Sequence, residues 1–331
     1  MRALVIDQPD HASVRDLTVA PPGPRDVIVE VKACGFCGTD LHIFRGEYLG
    51  DYPVIPGHEA SAVVSGVGSE ITEFRIGDRV AIEPNILCGK CFFCRTGRGN
   101  FCENWTAIGV TLPGCMAQEV RAPVSQVFAI GELPFEVAAF MEPLSCVLHG
   151  MSKLAPLDDE DVLILGAGPI GLLLMQVAKR RGAKRITVTD LRPGRLALAR
   201  RLGADRIVDS DTEPEALLPE SFDVVIDATG NPNVIQLTVE WVRPGGKVLW
   251  FGVAPRGKTV PVEPFAVFRK GLSIHSAYTS LGNSAEAIAL LASGEVRVEP
   301  LISHRLPLEE FQRAATLLQS DPDVLKVVMI P

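Results

Sequence analysis

The chain has 331 residues, of which 47% are hydrophobic and 22% charged, and its formal net charge is −8. This length exceeds what one hydrophobic core usually serves, so two domains are expected, and the composition is that of a globular α/β protein. The acidic balance excludes a broad basic face for nucleic acid or an anionic membrane. No segment offers the roughly 18 apolar residues of a membrane span and no long apolar run follows Arg2, so we expect a cytoplasmic protein.

The amino-terminal part is β-rich. Short runs separated by Gly, Pro and Asp turns predict a small irregular β-barrel or sandwich. These runs are Ala3 to Ile6, Val27 to Val31, Ser61 to Val67 and Arg79 to Ile82. A loop-rich stretch from Cys34 to Glu59 interrupts them, and loops on a rigid scaffold are where site residues collect.

Within that stretch, Cys37, His58 and Glu59 are candidate ligands of one zinc ion. A catalytic zinc takes three such protein ligands and keeps one position open. Thr39 and His42 offer a hydroxyl and an imidazole that could pass a proton toward solvent. Taken singly, each residue is more often a buried or capping residue than part of a site, whereas the cluster favours function.

A second cysteine group follows at Cys88, Cys91, Cys94 and Cys102. Four thiolates close a tetrahedral site, so the group predicts a structural zinc that folds its lobe and does no chemistry. The alternatives are two disulfides, which a cytoplasmic location disfavours, and a nucleic-acid-binding zinc ribbon, since basic residues are near. The remaining cysteines are assigned no role.

Residues Gly114 to Val127 return to β character, and Glu136 to Met151 form a predicted helix interrupted near Pro143. Glu142 lies at that interruption. From there its carboxylate could turn toward the metal, which makes it a further candidate ligand.

The character of the chain changes at Asp161, where an apolar strand precedes a glycine-rich turn and an amphipathic helix to about Arg181. The turn has the GxGxxG spacing, and a second strand ends in Asp190, 19 positions after the last glycine. A bare GxGxxG is weak, but this context specifies a dinucleotide site. The predicted cofactor-binding residues are Gly166, Gly168, Pro169, Ile170, Gly171, Asp190, Arg195, Thr229, Gly252 and Val253.

Asp190 predicts NAD as the cofactor. Its carboxylate can accept both ribose hydroxyls and would repel a 2′-phosphate. Arg192 and Arg195 weaken the choice over NADP, because either could pair with that phosphate.

Later strands are predicted at Arg206 to Val208, Phe222 to Asp227, Lys247 to Phe251 and Leu272 to His275. With the two strands around the glycine-rich turn they make six parallel strands, a complete doubly wound sheet. A tail with helices near Ser284 to Ala292 and Leu308 to Gln319 and a strand at Lys326 to Ile330 is expected to rejoin the first domain.

This order of parts resembles the zinc-dependent medium-chain dehydrogenase/reductase family, on the CGTD and GHE motifs, the four-cysteine lobe and GAGPIG. The resemblance covers the whole chain. It implies a GroES-like β-rich catalytic domain at residues 1–147 and 279–331. It also implies a Rossmann doubly wound parallel-sheet nucleotide-binding domain at residues 148–278.

Carried over residue by residue, the resemblance makes Cys37 and His58 zinc ligands. Thr39 and His42 match the proton relay, and Asp40 matches the carboxylate that orients the ligand histidine. In the family the substrate oxygen at the zinc lies between the two domains, beside the nicotinamide.

The sequence EPL at Glu142 to Leu144 is similar to sorbitol, other polyol and threonine dehydrogenases, where simple alcohol dehydrogenases have a cysteine. In that branch the carboxylate matching Glu59 coordinates zinc, and the one matching Glu142 is an exchangeable ligand or holds a water. The resemblance implies an NAD-dependent enzyme that oxidises a secondary hydroxyl of a polyol or sugar, or reduces the ketone, with zinc as Lewis acid. Threonine is the alternative substrate, and the branch suggests a homotetramer, or a dimer.

Charge favours Glu59 over Glu142 as the constant third ligand. Cys37 and Glu59 bring two negative charges to Zn²⁺ and neutral His58 brings none, so the site is neutral. A permanent fourth ligand at Glu142 would make it anionic. We therefore expect Glu142 to bind zinc only without substrate, or through water.

Two non-enzymatic hypotheses remain open. If the chain were a nucleic-acid-binding zinc protein, its surface should have a basic face. If it were a redox-inactive relative that keeps the fold only to bind zinc or a nucleotide, some ligand or relay residues should be missing. The acidic balance and the complete set of ligand and relay residues favour the enzyme.

Overall fold

The structure is a computed structural model that describes residues 1–48, 51–154, 156–321 and 323–331. These residues form two compact units. The first unit consists of Met1–Ser145, Thr279–Gly294 and Val298–Pro331, and the second consists of Cys146–Tyr278 and Glu295–Arg297. The second unit thus begins two residues before the boundary expected from sequence, and it includes the short segment Glu295–Arg297. That segment is held there because the Arg297 N–H donates to Gln176 Oε1 at 2.8 Å.

The elements up to Ser152 are mostly short strands. They are β1 Arg2–Gln8, β2 His11–Asp16, β3 Asp26–Phe36, α1 Gly38–Phe44, β4 Glu59–Val67, β5 Arg79–Ile82, β6 Asn85–Ile86, α2 Phe92–Arg95, β7 Thr106–Ala107, β8 Glu119–Pro123, β9 Val127–Ala129, α3 Phe135–Ala138 and α4 Met141–Ser152. The predicted strand at Arg79 to Ile82 is confirmed at both ends, and the other three predicted runs lie inside β1, β3 and β4.

Two details of this region differ from the prediction. The β character predicted from Gly114 becomes a named strand only at Glu119, where β8 begins. The backbone before Glu119 forms hydrogen bonds with the loop that precedes β4, for example from the Cys115 N–H to the Gly57 carbonyl at 2.8 Å. The predicted helix is broken between Ala138 and Met141, slightly before Pro143. Proline is tolerated in a first helical turn, so Pro143 lies inside the start of α4.

The nucleotide half alternates strands and helices. Its elements are β10 Asp161–Leu165, α5 Pro169–Arg180, β11 Arg185–Asp190, α6 Pro193–Leu202, β12 Arg206–Asp209, β13 Phe222–Asp227, α7 Pro232–Ile235, α8 Thr238–Trp241, β14 Val242–Trp250, α9 Pro264–Lys270 and β15 Ser273–Ser276. The strands are all parallel, in the order β12-β11-β10-β13-β14-β15. This is the 3-2-1-4-5-6 order of a doubly wound dinucleotide fold, so the predicted sheet is confirmed.

The tail consists of α10 Ser284–Ala292, β16 Ile302–Pro307, α11 Phe311–Ser320 and β17 Lys326–Ile330. β17 pairs antiparallel with β3, in a seven-stranded sheet of order β16-β17-β3-β4-β5-β9 with β8 also on β3. The tail therefore rejoins the first unit, as predicted. The Phe311 ring, at the start of α11, packs on Phe36 and Phe44 of the first unit, with centroids 5.0 and 5.3 Å away.

Over the part of the chain that the structure describes, every helix is too short or too polar to cross a lipid bilayer.

Candidate active site and metal centres

Three of the predicted zinc ligands converge in the first unit. β3 and β4 are antiparallel with Gly35 opposite Glu59, so the residues after β3 and before β4 meet at one end of the pair. There, one ligand atom each from Cys37, His58 and Glu59 lies within 4.8 Å of the others. His58 and Glu59 are both buried, at 6% and 1% exposed. Sulfur, imidazole and carboxylate in one buried cluster fit a zinc ion.

Asp40 joins the two chain segments that carry these ligands. It is fully buried in α1, where its Oδ2 accepts the Cys37 N–H at 2.9 Å and its Oδ1 accepts the Gly57 N–H at 2.9 Å. Oδ1 also faces His58 Nδ1 at 3.3 Å, which leaves Nε2 as the ring nitrogen for a metal. Burial opposes protonation of His58, yet Asp40 and then Cys37 hold the pKa of the imidazole well above its usual value. A zinc ion would therefore replace a proton there.

Lys326 is a site residue that sequence reasoning missed. It is 6% exposed at the start of β17, and its Nζ donates to Glu59 Oε1 at 2.7 Å and lies 2.5 Å from Oε2. Burial opposes the charge of Lys326, but Glu59, followed by Cys37, raises the pKa of this ammonium above its ordinary value. A fixed cation therefore faces a candidate zinc ligand.

Glu142 lies close to this group without joining it. Among the described residues, the set with mutual distances within 4.8 Å ends at Cys37, His58 and Glu59. Glu142 is 8% exposed in the first turn of α4, and its charge also raises the pKa of Lys326. Lys326 adds one positive charge to this centre. With that cation included, three anionic side chains around Zn²⁺ would sum to zero, so charge alone no longer argues against Glu142 as a ligand.

Thr39 and His42 both lie on α1. They are three residues apart and so share one face of the helix. Thr39 is half-buried, whereas His42 is exposed and its Nδ1 lies 2.7 Å from Glu47 Oε2. Glu47 is a second residue that the sequence did not single out.

The four-cysteine lobe closes on itself. One sulfur each from Cys88, Cys91, Cys94 and Cys102 lies within 4.8 Å of the others. The N–H groups of Lys90 and Cys91 lower the pKa of the Cys88 thiol to about 6, whereas burial and then the neighbouring thiols raise that of Cys94 to about 12. Four such sulfurs ionise together only around a cation, which is what a structural zinc provides.

The glycine-rich turn sits between β10 and α5. A Cβ at Gly171 would lie 1.9 Å from the Gly166 carbonyl oxygen, so only glycine allows α5 to start this close to the strand. Pro169 and Ile170 form its first turn, after Gly168 as N-cap. The free N–H groups of such a helix start bind a pyrophosphate.

Asp190 lies at the end of β11 against this turn. Its Oδ2 accepts the Ala167 N–H at 2.7 Å and its Oδ1 accepts the Arg192 N–H at 2.9 Å. Each carboxylate oxygen keeps a further lone pair for a ribose hydroxyl. Arg195 brings its guanidinium to the same turn, 4.0 Å from the place where a Cβ of Gly168 would be.

The other predicted cofactor residues form two turns at the carboxyl ends of β13 and β14. Thr229 donates its hydroxyl to Asp227 Oδ1 at 2.6 Å, so this side chain fixes the first turn. Burial raises the pKa of Asp227, and its Oδ2 accepts the Gly230 N–H at 3.0 Å. Gly252 approaches Gly230 so closely that a Cβ would lie 2.1 Å from the Gly230 nitrogen, and Val253 beyond it is 88% exposed. In doubly wound sheets, ligands bind outside the carboxyl ends of the strands.

Comparison with known proteins agrees with this architecture. Residues 23–132 match the alcohol dehydrogenase GroES-like domain, and residues 169–293 match the zinc-binding dehydrogenase domain. The chain is 38% identical to D-altritol 5-dehydrogenase of Agrobacterium fabrum, over 99% of this chain and 98% of that protein. It is 34% identical to D-arabinitol dehydrogenase 1 of Uromyces fabae, over 100% and 97%. It is also 34% identical to L-threonine 3-dehydrogenase of Rhizobium rhizogenes, over 97% and 96%.

Two solved structures differ in the cofactor that they contain. A zinc-binding dehydrogenase from Sinorhizobium meliloti 1021, bound to NADP, has a TM-score of 0.96 at 33% identity and covers 100% of this chain and 99% of its own. A structure described as a short chain alcohol dehydrogenase from E. coli CFT073, complexed with NADH, has a TM-score of 0.92 at 28% identity and covers 100% of this chain and 99% of its own. The GroES-like and Rossmann fold class and the resemblance seen in the sequence are confirmed. The chain belongs to the zinc-dependent medium-chain dehydrogenase/reductase family.

Proposed function

We propose that this chain transfers a hydride between NAD and a secondary hydroxyl, or the matching ketone, of a polyol or sugar, with zinc held by Cys37, His58 and Glu59. The observation that carries the proposal is the convergence of these three ligand atoms within 4.8 Å. The relatives named for D-altritol and D-arabinitol support the substrate class.

Each residue of the centre has a separate task in this proposal. Bound zinc supplies the Lewis acidity that lowers the pKa of the substrate hydroxyl. Asp40 fixes the ring of His58 and the backbone of Cys37. Thr39 and His42 take the hydroxyl proton from the half-buried to the exposed side of α1.

The four-cysteine lobe is proposed to hold a second, structural zinc. Its closed arrangement of four sulfurs leaves no position for substrate. The protein would then carry two zinc ions per chain, one of them without a part in the chemistry.

NAD is proposed as the preferred cofactor because of Asp190. Its carboxylate accepts the Ala167 and Arg192 N–H groups beside the glycine-rich turn, its remaining lone pairs suit ribose hydroxyls, and its charge opposes a phosphate. Arg195 is the counter-argument, since its guanidinium also reaches the glycine-rich turn.

Asp190→Ala is expected to raise the ratio of kcat/KM for NADP to that for NAD by at least about tenfold, because it removes both the ribose acceptor and the opposing charge. Steady-state rates with both cofactors measure the ratio. Arg195→Gln is the matched control, and we expect it to lower the ratio or leave it unchanged. A native enzyme that already prefers NADP would show that Arg192 or Arg195 controls the site.

The substrate class is tested by a panel of D-arabinitol, D-altritol, sorbitol, sugars and L-threonine, followed by reduced nicotinamide formation. We expect a polyol or sugar to give the highest kcat/KM. L-threonine is the second candidate, because the L-threonine 3-dehydrogenase relative matches 97% of this chain. A preference for threonine would keep the metal and hydride chemistry and replace the substrate.

We propose that the protein is a homotetramer, or a dimer. This proposal depends on the family resemblance alone, and light scattering would measure the mass in solution.

A further inference from the structure

The nucleotide-binding unit has a cavity of about 480 Å³ at the end of α5 that is opposite to the glycine-rich turn. It lies where α5 and α6 end, beside the segment Glu295–Arg297 of the same unit. α5 has 12 residues, so the cavity is roughly 18 Å from the helix start that would bind a pyrophosphate. A cavity of this size can hold a small molecule, and it is separate from the cofactor-binding turns.

Four cationic side chains line this basic cavity: Lys179, Arg180, Arg201 and Arg297. Among the lining residues that the structure describes, Glu295 is the one carboxylate, and Arg180 Nε already donates to it at 2.7 Å. The other three positive charges therefore have no anionic partner within the lining. This positive charge is concentrated in a chain whose net charge is −8, so the overall acidity of the chain does not account for it.

Backbone groups hold two of these cations in place. Lys179 Nζ donates to the Gly203 carbonyl at 3.1 Å, and a Cβ on that glycine would lie 2.6 Å from the same nitrogen, so glycine leaves room for the ammonium. Arg297 Nη2 donates to the Arg201 carbonyl at 3.3 Å, and the backbone of Arg297 is bonded to the buried amide of Gln176. A carbonyl has no formal charge, so each bond orients a cation and leaves its charge for a ligand.

Helix ends explain part of this charge. Lys179 and Arg180 lie in the last turn of α5, and Arg200 and Arg201 lie in the last turn of α6, where cations stabilise the carbonyl end of a helix. This effect does not explain Arg297, which lies outside both helices and whose guanidinium contacts the end of α6. Nor does it require the cations of two helices and a third segment to surround one cavity.

We propose that the basic cavity binds a small multivalent oxyanion, either an organic phosphate or a polycarboxylate. Arginine pairs with both kinds of group through two parallel N–H donors. Three uncompensated cations match an anion with about three negative charges, such as pyrophosphate or citrate near neutral pH. This ligand and NAD can bind together, because a dinucleotide lies outside the carboxyl ends of the strands, at the other end of α5.

The test is a calorimetric titration of the full-length protein with pyrophosphate and, separately, with citrate, at low ionic strength and with saturating NAD. NAD fills the cofactor-binding turns, so the remaining binding of an anion occurs elsewhere. We expect at least one of the two anions to bind as one ion per chain, with an affinity that falls when salt is added. The anion that binds more tightly identifies the ligand as a phosphate or a carboxylate.

Arg201→Gln and Arg200→Gln form a matched pair of variants. Both remove one charge from the last turn of α6, but Arg200 is outside the cavity lining and its Nη1 donates to the Asp205 carbonyl at 2.6 Å. We expect Arg201→Gln to weaken anion binding on the order of tenfold, through loss of a charged hydrogen-bond donor, and Arg200→Gln to weaken it less than about twofold. Both residues are exposed, so both variants should fold, which a thermal melt checks.

Four results would overturn the proposal. If neither anion shows saturable binding in the presence of NAD, the cavity is not a site for this class of ligand. If NAD displaces the anion, the anion binds at the cofactor turns. Equal weakening in the two variants would indicate a diffuse effect of surface charge. Native affinity in Arg201→Gln would place the anion elsewhere, for example at a metal centre, since both variants keep all the proposed zinc ligands.

Discussion

Glu59→Gln is expected to lose zinc from the Cys37 centre and to lower kcat/KM by more than about 100-fold. The reason is that loss of a residue behind a ligand already costs about 10- to 100-fold, and Glu59 is proposed to be a ligand itself. The change also leaves Lys326 buried without its counter-charge, which is destabilising in its own right. Zinc content and initial rates of the same preparation measure the result, and circular dichroism checks the fold.

Glu142→Gln is the matched control, with the same substitution on a neighbouring buried carboxylate. We expect it to keep most of the zinc and to impair the steps that involve substrate, because Glu142 stands outside the set of ligand atoms within 4.8 Å. Zinc lost from the Glu142 variant and kept in the Glu59 variant would reverse the assignment of the two carboxylates.

Cys91→Ser is expected to remove one zinc ion per chain and to lower the thermal midpoint more than it changes the chemistry. Cys91 is also the N-cap of α2, and serine can accept the same Cys94 N–H, so the loss is expected to come from the metal site and not from the cap. A loss of about 2 kcal/mol would lower the Tm by roughly 5 °C in a domain of this size. Metal analysis and a thermal melt measure both effects.

Cys146→Ser provides the control for this substitution. The same thiol-to-hydroxyl change there should keep both zinc ions, because Cys146 belongs to neither metal cluster among the described residues. A Cys91 variant with native zinc content and native Tm would contradict the structural zinc.

Strong local signals made most of the fold predictable. The strand at Phe222–Asp227 and the helix at Ser284–Ala292 have the predicted ends, because an apolar run or a helical period stands between clear turn residues. β14 shows where this reasoning fails. It begins at Val242 instead of Lys247. Phe222 of β13 pairs with Val242 and Val224 pairs with Lys247, so the register shifts between these pairs and Gly245–Gly246 lie within the strand.

The two clusters of proposed metal ligands were predictable because their residue types and spacing suit a metal, whereas the place of Lys326 beside one of them was not. Its sequence, KVVMI, reads as an ordinary closing strand, and 267 positions separate it from Glu59. Only the pairing of β17 with β3 brings the two together. A lysine opening an apolar strand is a weak hint of a buried cation, because lysine is almost never buried without a partner. The link from His42 to Glu47 depends likewise on the turn after α1.

The most direct test of the account compares native protein and Cys37→Ser for zinc per chain and for NAD reduction with the best polyol, in the same preparations. The native protein should hold two zinc ions, in keeping with its two ligand clusters. The variant should hold one and lose turnover while it keeps its fold and its affinity for NAD. A Cys37→Ser protein that retains both zinc ions, or oxidises the polyol at the native rate with one, would contradict a zinc-dependent hydride transfer at this centre.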